Sequence, residues 1–129
     1  MARTKKNLVF LDTHVVVWLS NPKKLSKLAK AAIEGGDLYV SPMVELELRF
    51  LYEIKRLLVD EQEILRILAD RIGLQKSEAP FQSVVSNALN IAWTRDPFDR
   101  MIVAEAMHFN GKLLSADKLI LKHFQNAIW

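Results

Sequence analysis

The sequence predicts an α/β fold in which a mostly parallel central sheet of four to five strands is flanked by helices on both faces. Three observations lead to it. Short runs at Leu8–Leu11, Leu38–Val40 and Lys112–Ser115 have the length of strands, and each is followed by a segment of helical character. Three strand-then-helix units along one chain imply parallel pairing, because a crossover helix carries the chain back to the start of the next strand. No repeat, low-complexity tract or Gly/Ser linker divides the 129 residues, so they read as one domain over 1–129, with a 50% hydrophobic content sufficient for one core.

Taken in order, Leu8-Val-Phe-Leu11 is a buried strand closed by Asp12. Val15–Leu19 is double-edged: three consecutive valines favour a strand, whereas Asp12-Thr13 ahead of them favours a capped helix, which is the preferred reading. Ser26–Glu34 carries apolar residues at 28, 29, 32 and 33 and is stopped by Gly35-Gly36. Leu38–Val40 is the second strand. Ser41-Pro42 then opens a long helix in which Met43, Leu46, Phe50, Ile54 and Leu57 recur at spacings of three and four. A partner helix over Glu61–Ile72, ended by Gly73, would fold back on it as an antiparallel hairpin. Helices follow over Gln82–Ala92 and Phe98–Asn110, the latter ended by Gly111. Lys112–Ser115 is a strand, Lys118–Phe124 a short helix, and the final Ala-Ile-Trp an edge strand.

Composition narrows the chemistry. The chain has 18 basic and 15 acidic residues, a net charge of +3, which leans mildly toward an anionic partner. It has no cysteine, so disulfides, thiolate zinc sites and cysteine nucleophiles are excluded. The basic opening residues are followed by an apolar run of only Leu8–Leu11, too short for a secretion signal, and no stretch has the roughly 18 to 20 apolar residues of a membrane span. A soluble, cytoplasmic protein is expected.

The acids carry the functional signal. Asp12, Asp96 and Asp117 each precede a helix, where a carboxylate oxygen caps an orphaned backbone N–H. Asp96-Pro97 has a complete explanation of this kind. Asp99, at the third helical position, is less comfortable: Ile102, Val103 and Ala106 one turn on put it at the top of a buried stripe. Asp12 and Asp117 both follow strands and should converge at the C-terminal edge of the sheet, the usual ligand crevice of open α/β folds. Of the acids opening the long helix, Glu45 and Glu47 lie about 200° apart, so only one can face that crevice. Glu47 shares its face with Met43, Phe50 and Leu51. Glu45 is placed on the surface, paired with Arg49 at i+4. Four carboxylates, Asp12, Glu47, Asp99 and Asp117, would repel one another unless a divalent cation neutralised them or some took up protons, and all-oxygen ligands favour Mg2+ or Mn2+. With those four set aside, 18 basic residues face 11 acidic ones, a balance of +7 around an acidic hole. A rim that attracts phosphate around a pocket that holds metal is the layout of a metal nuclease.

At these residues the sequence resembles the PIN domain family, and within it the VapC-type toxins of bacterial toxin–antitoxin pairs. The matching stretches are LDTHVVVWL at Leu11–Leu19, SPMVELEL at Ser41–Leu48, RDPFDRMIVAEA at Arg95–Ala106 and LLSAD at Leu113–Asp117. The family's acidic positions fall on Asp12, Glu47, Asp99 and Asp117, with the hydroxyls of Thr13 and Ser115 beside the first and last. The resemblance implies a PIN-like parallel sheet, a helix at Val15–Leu19, and Mg2+-dependent endoribonuclease action on RNA. Asp12, Asp99 and Asp117 are then expected to bind metal, with Glu47 ligating or accepting a proton. Thr13, Ser115 and Arg100 would position water or phosphate, and Asp96 would serve as a cap or support. A cognate antitoxin blocking the crevice and a homodimer also come from the resemblance alone.

Other residues read as structural. His14, His108 and His123 lack close metal-ligand spacing, Trp18, Trp93 and Trp129 sit among apolar neighbours, and Arg3, Lys5, Lys6, Lys23, Lys24 and Lys27 form a solvated basic fringe. An aspartyl-phosphate phosphatase would need an aspartate where His14 stands, and a phospho-receiver would need one closing the second strand, where Tyr39-Val40-Ser41 offers none. The remaining alternative is a catalytically inactive PIN-like module that binds RNA or protein.

Overall fold

The structure, a computed structural model, describes residues 7–129; the basic residues Arg3, Lys5 and Lys6 lie outside them. The chain runs β1 (Leu8–Leu11), α1 (Thr13–Trp18), a 3-10 turn (Pro22–Lys24), α2 (Lys27–Gly35), β2 (Asp37–Val40), α3 (Pro42–Glu53), α4 (Glu61–Ile72), β3 (Gln75–Lys76) and α5 (Phe81–Leu89). It ends with α6 (Pro97–His108), β4 (Lys112–Leu114), α7 (Lys118–His123) and β5 (Ala127–Ile128). The strands form one sheet in the order β3-β2-β1-β4-β5, and every pairing is parallel.

The centre of the sheet is dry on both faces. Val9, Phe10 and Leu11 are consecutive and all buried, as are Leu113 and Leu114. Consecutive burial requires helices above and below, which is why these strands show apolar runs and no alternation. Close approach of backbone to strand is enforced at Gly36, where a Cβ would meet Val9 Cγ2 at 2.6 Å.

Most boundaries fall within two or three residues of expectation, the ordinary fraying of helix ends. Val15–Leu19 lies within or caps α1, with Asp12 as its N-cap. Capping also sets α4, where Asp60 accepts from the Glu63 N–H at the start and Gly73 takes φ 69° at the end.

In α3 the length and the buried stripe both differ from expectation. The helix stops at Glu53, short of Leu57, because Lys55 adopts a left-handed φ of 65°. The Arg56 N–H then reaches back to the Leu51 carbonyl at 2.8 Å and the Lys55 N–H to Tyr52 at 3.0 Å, a Schellman stop built without its usual glycine. The buried stripe is also different. Val44 and Leu48 are fully buried, while Leu46 is 53% exposed and Phe50 and Ile54 nearly half exposed. Both stripes satisfy helical spacing, so periodicity alone could not choose. The polar two-residue β3 carried no strand signal either, and its place is set by pairing with β2.

Candidate active site

β1 lies at the centre of the sheet, with β2 on one side and β4 on the other, so chains leaving β1, β2 and β4 emerge at the same edge. Asp12 leaves β1, Ser41 opens α3, and Ser115 and Asp117 follow β4. The first tie is backbone: the Asp12 N–H donates to the Leu114 carbonyl at 3.0 Å. The Asp12 side chain is almost wholly buried. Its Oδ1 accepts from the Thr13 N–H and its Oδ2 from the Ser115 hydroxyl, each at 2.8 Å. The Ser115 hydroxyl in turn accepts the Asp117 N–H at 3.1 Å.

Asp117 caps α7 through Oδ1, accepting from Leu119 and Ile120. From α3, Glu47 accepts a short hydrogen bond from the Thr13 hydroxyl and lines the same cleft as Asp12, Asp99 and Asp117, whereas Glu45 does not line it. Glu45 does not pair with Arg49 as expected. It binds Lys76 on β3 at 2.8 Å, and Arg49 reaches across to Glu61 on α4, because tertiary neighbours outcompete the i+4 partner. At the start of α6, Asp96 Oδ1 caps Phe98 and Asp99, and the Asp99 carboxylate accepts from none of the described donors.

Together Asp12, Thr13, Glu47, Asp96, Asp99 and Asp117 line a cleft of about 420 Å3, with Trp18 and Arg56 at its wall. Ser115 sits behind it, fully buried. Arg100 is not among the lining residues; its Nε donates to the Thr94 carbonyl at 2.7 Å. Arg56 gave no signal in the sequence, since it reaches the cleft only through the left-handed turn at Lys55.

The charges in the cleft are in conflict. Burial, with the charges of Asp96, Asp12, Asp117 and Glu47 added, pushes the Asp99 carboxyl up to about 7. Burial also raises Asp12, against the lowering effects of His14, Ser115 and Thr13, and raises Glu47 against the Thr13 hydrogen bond. Among the described residues no three His, Asp or Glu side chains form a ready-made metal cage. The donor set nonetheless suits a hard cation: all oxygen, mutually repelling, and with Asp99 lacking a donor of its own.

The PIN domain family model matches residues 9–124. The chain belongs to the PIN domain family. Among curated relatives of this PIN domain, Ribonuclease VapC22 of Mycobacterium tuberculosis (strain ATCC 25618 / H37Rv) is 33% identical over 119 residues, covering 89% of this chain and 91% of the relative. That likeness places the PIN domain with the VapC-type members. Two solved structures share its fold. VapBC2 from Rickettsia felis, bound to a DNA fragment from the promoter, superposes with a TM-score of 0.65 at 18% identity over 94% of this chain and 96% of that one. VapBC-1 from nontypeable Haemophilus influenzae gives 0.57 at 16% identity over 92% and 91%.

Proposed function

We propose that this PIN domain is a Mg2+-dependent endoribonuclease that hydrolyses RNA phosphodiester bonds, with Mn2+ as a workable substitute, and that it is the toxin of a toxin–antitoxin pair. The observation that carries this reading is the gathering of Asp12, Glu47, Asp96, Asp99 and Asp117 around one cleft. A relative named as a ribonuclease supports the substrate class. Asp12, Asp99 and Asp117 would hold the ion directly or through water, with Glu47 as ligand or proton acceptor. Bound there, a divalent ion supplies an activated water and offsets charge building on the scissile phosphate.

The protein's own contribution is placement. Thr13 orients Glu47 by donating to it, and Ser115 holds the buried Asp12 Oδ2 by donating to it. Asp96 serves as the cap of α6 and adds negative charge beside Asp99. Arg56, on the wall of the cleft, is placed to meet a phosphate; Arg100, anchored on Thr94, would act from outside the lining.

The toxin reading adds a cognate antitoxin whose segment occupies the acidic cleft, and a homodimer. Exposed Leu58, Phe81 and Leu89 support further burial in a complex. The solved VapBC relatives support a partner of this type. Among the described residues no helix is long and apolar enough to cross a membrane.

The test compares wild type with Asp99→Asn on structured RNAs in Mg2+, Mn2+ and EDTA. Cleavage is expected only from wild type with metal. Equal cutting by the variant, or cutting in EDTA, would remove the mechanism. No cutting together with no carboxylate-dependent Mn2+ binding would leave an inactive binding module.

A further inference from the structure

His14, expected to be merely structural, makes two contacts that bear on the acidic cleft. Its Nε2 accepts the Ala116 N–H at 2.8 Å, and its Nδ1 lies 3.5 Å from Asp12 Oδ2. The first contact fixes the ring. An Nε2 that accepts must keep its lone pair, so the proton of the neutral imidazole sits on Nδ1, the nitrogen facing Asp12. The ring also packs against Trp18 at 4.8 Å and meets the edge of Trp129 at 6.3 Å between centroids, which restricts its rotation.

Ala116 lies between Ser115 and Asp117 in the loop that leaves β4. Two side chains therefore tie that loop to the start of α1. Ser115 reaches Asp12 from the loop, and His14 reaches Ala116 from α1, one residue from Asp117. Ser115 fixes one end of the three-residue segment. Without His14, the Ala116 N–H would lose its described partner, and the Ser115 hydroxyl would be the remaining side-chain tie from this segment to the start of α1, with Ser115 otherwise held through its N–H on the Ile128 carbonyl and Asp117 through the α7 cap. We propose that His14 is a positioning residue for the reaction: through the Ala116 N–H it holds the Asp117 carboxylate in register with Asp12 across the β1–β4 junction. This rests on the nuclease reading above and adds a residue to it. His14 is not assigned as a ligand or as a proton carrier.

Gln and Asn separate the two contacts, because a glutamine amide can place its oxygen where Nε2 stands, whereas the shorter asparagine reaches only the Nδ1 position. The experiment uses wild type, His14→Gln, His14→Asn and His14→Ala. It reads amide hydrogen exchange at Ala116, Mn2+ affinity by titration calorimetry, kcat and KM on RNA, and the melting midpoint. Fast Ala116 exchange is expected in the Asn and Ala variants, with wild-type protection retained in the Gln variant. Mn2+ affinity and kcat should fall about tenfold in Asn and Ala with KM little changed, and recover in Gln, in line with the usual effect of removing a residue that orients ligands.

Unchanged Ala116 exchange in His14→Ala would overturn the tie. Faster exchange with wild-type metal affinity and kcat would overturn the positioning role, as would a Gln variant that falls as far as Ala. If His14→Ala does not fold, the Gln and Asn pair carries the same comparison. If wild type binds no Mn2+ and cuts no RNA, the nuclease reading and the positioning role fall together, and Ala116 exchange still reports whether the tie exists.

Discussion

At the scale of single residues, the cleft is a set of carboxylates held where they destabilise one another. Asp99 shows this most clearly, because burial and four neighbouring acids raise its carboxyl from 3.8 to about 7. A raised acid binds its proton more tightly in the folded chain than in the unfolded one. Without divalent ions, stability should therefore fall as pH rises from about 4 through 7. Asp99→Asn is expected to melt higher than wild type at pH 8 without metal, with the advantage fading below pH 4. A calorimetric pH series checks this, and equal midpoints at pH 8 would contradict it. Millimolar Mg2+ should reverse the order by stabilising wild type alone. At this scale the sequence was informative because Asp12, Asp99 and Asp117 sit next to readable helix starts. Arg56 and His14 were not readable, since one depends on a turn without glycine and the other on a contact across 102 residues.

At the scale of elements, α3 separates what periodicity says from what packing decides. Val44 and Leu48 face the core, while Leu46 and Phe50 face outward, although all lie at helical spacings. Leu48→Ala should cost about 2–5 kcal/mol in denaturant unfolding, as for a fully buried leucine. Leu46→Ala should stay within about 0.5 kcal/mol, as an exposed position does. Matching losses at both positions would mean that the stripe is assigned wrongly. The helix stop is a second case. Lys55→Gly should stabilise by up to about 1 kcal/mol, since a left-handed non-glycine residue carries a steric cost, partly offset by the greater freedom of glycine when unfolded. A destabilised Lys55→Gly would mean that the lysine side chain contributes more than the turn costs.

At the scale of the whole molecule, an acidic cleft sits in an otherwise basic chain, 18 basic residues against the 11 acids outside the four central ones. RNA binding by the Asp99→Asn variant should therefore weaken with salt, with a log–log slope of roughly 0.7 per phosphate engaged. Affinity independent of salt in filter binding would argue against a phosphate-attracting rim. By itself the sequence determined the α/β class and the order of the strands and helices other than β3, because these follow from local periodicity, capping and strand length, and it singled out four acids that line one cleft. Only the tertiary structure decided the outward face of α3, the Glu45–Lys76 and Arg49–Glu61 pairs, the pairing of β3, and the ties of His14 and Ser115 that hold the cleft. Each of these joins residues distant in the chain, and their partners are selected by the space left when the sheet and helices pack, which no local pattern encodes.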